Sequence, residues 1–138
     1  MKVAVVYWSQ TGNTEAMANK VAEGARNAGA EVDLLTAAEF TSAKDYDAVA
    51  FGCPAMGAEE LESDEFEPMY TAAESELAGK KVGLFGSYGW GDGEWMRTWQ
   101  DNARNHGVNL VSDGVMANEA PDDAACAACV ALGETLAK

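Results

Sequence analysis

Short apolar runs alternate along the chain with longer stretches in which apolar residues recur at every third or fourth position. The runs have the length of buried strands, and the spaced residues between them are typical of one face of a helix. The predicted strands are 3–8, 31–36, 47–53, 81–87 and an interrupted last one at 109–111 and 115–117. The predicted helices are 14–28, a second with Pro68 in its first turn and Gly79 past its end, 94–105 closed by Gly107, and 121–136.

The order of these elements predicts an α/β fold. Because the strands are apolar along most of their length, both faces of the sheet must be covered, which is typical of parallel strands joined by helices. We expect a single domain over residues 1–138, a doubly wound three-layer sandwich around a five-stranded parallel sheet in the order 2-1-3-4-5. In that order the ligand crevice lies at the carboxyl ends of strands 1, 3 and 4, which are followed by the loops 9–14, 54–60 and 87–93.

The first loop, Ser9-Gln10-Thr11-Gly12-Asn13-Thr14, has the composition of a phosphate site. Its hydroxyls, amides and glycine lie where a strand turns into a helix, whose unpaired N–H groups and dipole attract anions. No Lys or Arg lies between Lys2 and Lys20, so the loop suits a phosphate that is bound and kept rather than transferred. The Gly-Lys of a Walker loop and the three glycines of a Rossmann turn are absent. An ordinary turn capped by Asn13 or Thr14 is the alternative.

The other two loops carry residues that suit a flat ligand. Trp90 stands between glycines in Ser87–Gly93, and glycines bring no side chains to bury it, so we expect an exposed stacking platform. A Trp folded back onto the domain is the alternative. In the second loop Met56 offers a thioether for the other face of the ligand, Gly57 a flexible peptide and Glu59 a carboxylate acceptor. An ordinary glycine turn in an acidic loop is the alternative there.

Three motifs, SQTGNT, CPAMGAEE with EFEP downstream, and GLFGSYGWGDGEWM, together resemble the short-chain flavodoxins of anaerobic bacteria, and the likeness extends to NEAPDD near the last helix. The resemblance implies noncovalently bound FMN. It implies that the first loop rings the phosphate, that Trp90 and Met56 lie on opposite faces of the isoalloxazine, and that Glu59 accepts a hydrogen bond from the flavin N3–H. Gly89 would contact the pyrimidine end of the ring, and Asn118 the ribityl chain or the ring edge. The cofactor-binding residues expected on this basis are Ser9, Gln10, Thr11, Gly12, Asn13, Thr14, Pro54, Ala55, Met56, Gly57, Ala58, Glu59, Ser87, Tyr88, Gly89, Trp90, Gly91 and Asn118.

The resemblance also implies a conformational switch in the second loop. In the family the peptide that matches Gly57–Ala58 flips when the flavin is reduced, so that a carbonyl faces the flavin N5–H. This chain has Ala58 where related sequences often carry Asp, Ser or another polar residue, and Pro54 where some have Ser. If the flipped turn needs a positive φ at residue 58, the methyl group costs about 1 kcal/mol.

The charge of the chain restricts its partners. Nine basic residues stand against 23 acidic ones, a net charge of −14 that disfavours nucleic acid and anionic membranes. It favours redox partner proteins with basic docking surfaces, and we expect a monomer. Three cysteines do not form a secreted disulfide framework, no apolar stretch has the length of a membrane span, and Met1-Lys2 leads directly into a strand. A cytoplasmic location is expected.

The resemblance implies a low-potential one-electron carrier that uses FMN in place of ferredoxin and is not an enzyme, and the acidic charge of the chain agrees with that role. The alternative is a small FMN-dependent NAD(P)H reductase, although the chain has few basic residues and no substrate-binding insertion. A phosphoacceptor domain is disfavoured because acidic residues do not follow strands 1 and 3. Cys126 and Cys129 have thioredoxin-type spacing, but they lie in the last helix, where small-residue packing is the expected role. We expect no metal site and no catalytic residue.

Overall fold

The computed structural model describes residues 1–57, 59–89 and 91–138. Its strands are β1 (Lys2–Tyr7), β2 (Glu31–Thr36), β3 (Ala48–Gly52), β4 (Lys81–Tyr88), β5 (Asn109–Leu110) and β6 (Val115–Asn118). Its helices are α1 (Asn13–Asn27), α2 (Phe66–Glu74), α3 (Glu94–Asn105) and α4 (Asp123–Leu136). The bounds of β2 and α3 agree with the sequence prediction at both ends, and those of β1, α1, β3 and β4 differ by one residue.

All strands are parallel, in the order β2-β1-β3-β4-β5, with β6 also paired to β4. The predicted interruption of the last strand is confirmed, because β5 pairs with the beginning of β4 at Lys81 and Val82 whereas β6 pairs with its end at Phe85–Tyr88. The predicted α/β fold and strand order are confirmed. The carboxyl ends of β4 and β6 lie at the same level, which brings the residues after Asn118 to the edge where the ligand crevice is expected.

Alternate residues of each strand face opposite layers of the sandwich. Ala4 and Val6 of β1 belong to a core shared with α2 and α3 that contains Phe51, Phe66 and Trp99. Val3 and Val5 belong to a second core shared with α1 and α4, which contains Met17, Val21 and Leu132. Every residue of β3 is buried, as a strand covered on both faces requires.

Two glycines let α1 and α4 pack with their backbones in contact. A Cβ added at Gly24 would meet the carbonyl oxygen of Val130, and one added at Gly133 would meet the carbonyl oxygen of Val21.

Two expectations about helix ends are wrong. Gly79 does not close α2, which ends at Glu74 with Ser75 as its C-cap residue. Gly79 lies in a separate turn in which the N–H of Lys80 donates to the carbonyl of Leu77. The last helix begins at Asp123 rather than Pro121, capped by the Asp122 carboxylate, which accepts from the Ala125 N–H at 2.8 Å. Among the described helices, none combines the length and apolar character needed to cross a membrane.

Candidate cofactor site

A cavity of about 470 Å³ opens at the carboxyl ends of β1, β3 and β4. It brings together the three loops expected to bind the ligand, and two further residues after β6. Its lining is Ser9, Gln10, Thr11, Asn13, Thr14, Pro54, Ala55, Met56, Ser87, Tyr88, Gly89, Glu119 and Ala120. Five other expected residues lie in the same loops or at the end of β6 but outside this lining: Gly12, Gly57, Glu59, Gly91 and Asn118. The remaining two, Ala58 and Trp90, lie outside the described residues.

The first loop caps α1 with a serine from outside the helix. Gly12 is the N-cap residue, with a φ of 94° that favours glycine, and it has no side chain with which to cap. The Ser9 hydroxyl instead accepts hydrogen bonds from the N–H groups of Gly12 at 3.1 Å and Glu15 at 3.3 Å. The alternative in which Asn13 or Thr14 caps an ordinary turn is therefore wrong.

This arrangement leaves hydrogen-bond donors in the cavity. Within the described part of the chain, no protein group accepts from the N–H groups of Asn13 and Thr14, the first two residues of α1. Thr14 is 1% exposed, and its hydroxyl makes no hydrogen bond to any residue that the structure describes. Buried hydroxyls are normally paired, so this one indicates a missing acceptor. The cavity lining contains no Lys or Arg. A phosphate held by N–H and O–H donors fits these residues.

The second loop is attached to β4 at its start and is held in shape by hydrogen bonds between its own main-chain groups. The N–H of Ala55 donates to the carbonyl of Ser87 at 3.0 Å, which fixes the start of the loop to β4. The N–H of Glu59 donates to the carbonyl of Met56 at 2.8 Å, and the N–H of Met56 donates to that of Glu60 at 3.0 Å. Gly57 is exposed, is not among the glycines with positive φ, and has open space around the position of a Cβ. The conformation described here therefore does not itself require glycine at residue 57.

Glu59 lies in contact with the third loop. Its φ of 53° is in the left-handed region, and its Oε1 occupies the position that a Cβ at Gly91 would need. Its carboxylate lies within 4.8 Å of those of Asp92 and Glu94. Burial raises the pKa of Glu59, and the neighbouring carboxylates of Glu94 and Asp92 raise it further. Oε1 is buried and makes no hydrogen bond to a described residue.

The end of β6 is bound to the end of β4. The Ser87 hydroxyl donates to the carbonyl of Glu119 at 2.6 Å, and the N–H of Glu119 donates to the carbonyl of Tyr88 at 2.7 Å. Glu119 has a φ of 57°, which turns the chain so that Glu119 and Ala120 line the cavity. The side-chain amide of Asn118 donates to the same Tyr88 carbonyl at 3.4 Å. Glu119 and Ala120 lie within the NEAPDD stretch of the sequence, but they were not among the expected cofactor-binding residues, because their position depends on where β6 stops.

A buried glutamate that follows the second loop accepts hydrogen bonds from the main chain at and just before the start of α2. Glu62 is 6% exposed, and its carboxylate accepts from the N–H groups of Asp64, Glu65 and Phe66 at 2.8, 2.7 and 2.8 Å. Burial tends to raise its pKa, but these three donors outweigh burial and lower it. The Glu62 N–H donates to the Cys53 sulfur at 3.4 Å, which connects α2 to the end of β3. From the sequence, Glu62 was expected only as one of several acidic residues near the cofactor, because a glutamate in an acidic loop resembles its neighbours, and its buried hydrogen-bonding role was not foreseen.

Comparison with known proteins agrees with this geometry. A family model described as flavodoxin matches residues 5–133. The chain is 48% identical to a flavodoxin of Megasphaera elsdenii, over 99% of this chain and 98% of that protein. It is 39% identical to a flavodoxin of Clostridium beijerinckii, over 96% and 97% of the two chains.

A solved structure gives the same result for the fold. The solution structure of two-electron reduced Megasphaera elsdenii flavodoxin superimposes with a TM-score of 0.86 at 46% identity, over 98% of both chains. The family match covers nearly the whole chain. The cavity is lined by residues of the three loops that carry the sequence motifs described above. The chain therefore belongs to the flavodoxin family, the FMN-containing electron carriers, which are electron-transfer proteins rather than enzymes.

Proposed function

We propose that this chain is a low-potential one-electron carrier that serves between redox proteins in place of ferredoxin, docking through its acidic surface onto basic partners. The FMN phosphate is held by residues 9–14, and the isoalloxazine lies between the loops 54–59 and 87–91. The observation that carries the proposal is the buried, unpaired hydroxyl of Thr14 at the start of α1, in a cavity without basic residues. FMN, when bound, supplies one-electron chemistry through its ring.

The chain binds phosphate with neutral donors. The N–H groups of Asn13 and Thr14 and the Thr14 hydroxyl belong to the first turn of α1, at the positive end of its dipole, and both residues line the cavity. A hydrogen bond to a charged acceptor is worth about 1.5–3 kcal/mol, so a few of them hold the phosphate without a cation. Without a mobile charged side chain at the phosphate, the loop anchors the cofactor and takes no part in chemistry.

Acidic residues at the ring end of the site set the direction of the redox potential. Glu59, Asp92 and Glu94 form a cluster of carboxylates where the second loop meets the third, outside the cavity lining, and Arg97 pairs with Asp92 at 2.9 Å. Negative charge close to the ring disfavours adding an electron, which lowers the potential. Gly57 supports a change of loop conformation on reduction, because residue 57 has no side chain to obstruct a peptide rotation.

The first test is stepwise anaerobic reduction of the FMN-loaded protein, followed by visible absorption. The proposal predicts two separate one-electron steps, the second at a strongly negative potential. A single two-electron step, or rapid NAD(P)H oxidation by the pure protein, would favour the reductase alternative instead.

A second test addresses the phosphate site with Thr14→Val, which keeps the shape of the side chain and removes the hydroxyl. We expect FMN affinity to fall about tenfold or more, the equivalent of one charge-assisted hydrogen bond. Riboflavin, which lacks the phosphate, is the matched control and should bind both proteins equally. Equal losses for both ligands would place the phosphate elsewhere.

A further inference from the structure

Glu119 has a strained main-chain conformation at the wall of the cofactor cavity. Its φ of 57° lies in the left-handed region, which a residue with a Cβ adopts only at a cost. It follows directly after β6, and it lines the cavity together with Ala120. A strained conformation persists only where surrounding contacts hold it, and such residues are concentrated at ligand sites. The contacts that hold Glu119 therefore determine the shape of the cavity at this wall.

Two consecutive residues of β4 hold both main-chain polar groups of Glu119. The Ser87 hydroxyl donates to the Glu119 carbonyl at 2.6 Å, and the Glu119 N–H donates to the carbonyl of Tyr88 at 2.7 Å. Ser87 is 4% exposed, so its bond to Glu119 is shielded from water. A serine hydroxyl has a single hydrogen to donate. With that hydrogen bonded to Glu119, the Ser87 hydroxyl cannot also donate to a phosphate.

Ser87 also holds the start of the second loop, but through a different group. Its main-chain carbonyl accepts from the Ala55 N–H at 3.0 Å, and Ala55 lines the cavity as well. Ser87 therefore connects two segments that are far apart in the chain to the end of β4. Because one connection uses its main chain and the other its side chain, replacing Ser87 with alanine removes only the bond to Glu119.

We propose that Ser87 is a positioning residue for the cofactor, whose hydroxyl holds Glu119 in the left-handed conformation and so keeps Glu119 and Ala120 at the cavity wall. Without this bond Glu119 relaxes to a negative φ, which turns the main chain after β6 and moves Ala120 away from the cavity. The proposal rests on the assignment of this cavity to FMN in the proposed function. It differs from the resemblance, which implied that Ser87 binds the cofactor itself.

The test measures the FMN affinity of the full chain for Ser87→Ala, alone and combined with changes at residue 119. Ser87→Ala alone should lower the affinity about threefold to tenfold, the equivalent of one hydrogen bond. Glycine adopts the left-handed conformation without strain, so in a Glu119→Gly background the same change should lower the affinity by less than about twofold. Glu119→Gln is the matched control, because it removes the same charge but keeps a strained side chain. In that background the loss caused by Ser87→Ala should be as large as in the wild type.

The three backgrounds distinguish positioning from direct binding. A Ser87 hydroxyl that contacted the cofactor itself would cause the same loss of affinity in all three, because its own contact would not depend on the conformation of residue 119. Equal losses would therefore overturn the proposal. An unchanged FMN affinity in Ser87→Ala would overturn it as well.

Amide hydrogen exchange followed by NMR gives a second readout that does not depend on FMN. In the full chain without cofactor, the Glu119 N–H should exchange faster in Ser87→Ala, because its bond to the Tyr88 carbonyl is lost when the turn relaxes. The Ala55 N–H, which donates to the main chain of residue 87, is the internal control and should exchange at the wild-type rate. Equal exchange of the Glu119 N–H in both proteins would overturn the proposal. If the wild type failed to bind FMN, the proposed function would be wrong, and the exchange rates would still decide whether Ser87 holds the turn.

Discussion

The Glu62 carboxylate is expected to be a principal determinant of stability around the second loop. In Glu62→Gln the remaining oxygen can keep the bonds from the Glu65 and Phe66 N–H groups, now to a neutral acceptor, while the amide faces the Asp64 N–H without a bond. A hydrogen bond to a charged group is worth about 1.5–3 kcal/mol and a neutral one about 1 kcal/mol. One lost bond and two weakened ones add to a loss of about 3 kcal/mol.

Urea unfolding followed by far-ultraviolet circular dichroism measures this loss. With a urea dependence of about 1–3 kcal/mol/M, the midpoint should fall by roughly 1–3 M. Glu67→Gln is the control, because Glu67 is exposed in the first turn of α2, the helix that follows Glu62. This change should lower the free energy of unfolding by less than about 1 kcal/mol.

The pH dependence gives a further check. A depressed carboxyl pKa contributes stability above the unfolded pKa, and that contribution is lost as pH falls through the folded pKa. The gap between wild type and Glu62→Gln should therefore close in acid. A loss under about 1 kcal/mol at neutral pH, or a gap that persists when Glu62 is protonated, would refute the argument.

Three other measurements follow from the same structure. Burial raises the pKa of the Cys53 thiol to about 12, so alkylation of folded protein followed by mass spectrometry should modify the partly exposed Cys126 first and Cys53 only on unfolding; early Cys53 modification would contradict its burial. Gly133→Ala should lower the free energy of unfolding by about 1–3 kcal/mol in urea titrations, because the new methyl group meets the Val21 carbonyl, whereas a gain of helix propensity alone would raise it. Because the pKa of Glu59 is raised in the fold, its contribution to the stability of the FMN-free protein should be complete below the unfolded pKa and lost as pH rises through the folded pKa. Glu59→Gln should remove that decline in the urea midpoint, and a decline that remains would assign it to another group.

Much of the fold follows from local pattern. The strands β2 and β3 and the helix α3 follow from apolar periodicity, because burial on one or both faces selects residues at fixed spacing. The interruption of the last strand was also visible in the sequence, since polar residues and Gly114 separate its two apolar pieces.

The details that the sequence analysis missed depend on contacts between distant segments. Asn13 and Thr14 are good N-cap residues in isolation, yet the Ser9 hydroxyl provides the cap because the loop folds back over the helix. Glu119 lies in the NEAPDD stretch, but it lines the cavity because the ends of β4 and β6 coincide, and that pairing joins distant parts of the chain. The expected site residues were predicted mainly from motifs in the loops, and most of them line the cavity.

The broken strand at the β5–β6 edge has a consequence for how copies of this protein meet at high concentration. An unbroken edge strand offers a row of free N–H and C=O groups on which another chain can add a strand. Here the N–H of Gly114 donates to the Gln100 side chain at 2.8 Å, and Asp113 pairs with Arg104 at 2.8 Å, so the linking segment is fastened to α3. The strands on either side, β5 and β6, are too short for a strand of another chain to pair with along this edge. This edge of the sheet therefore resists the edge-to-edge strand pairing that begins aggregation.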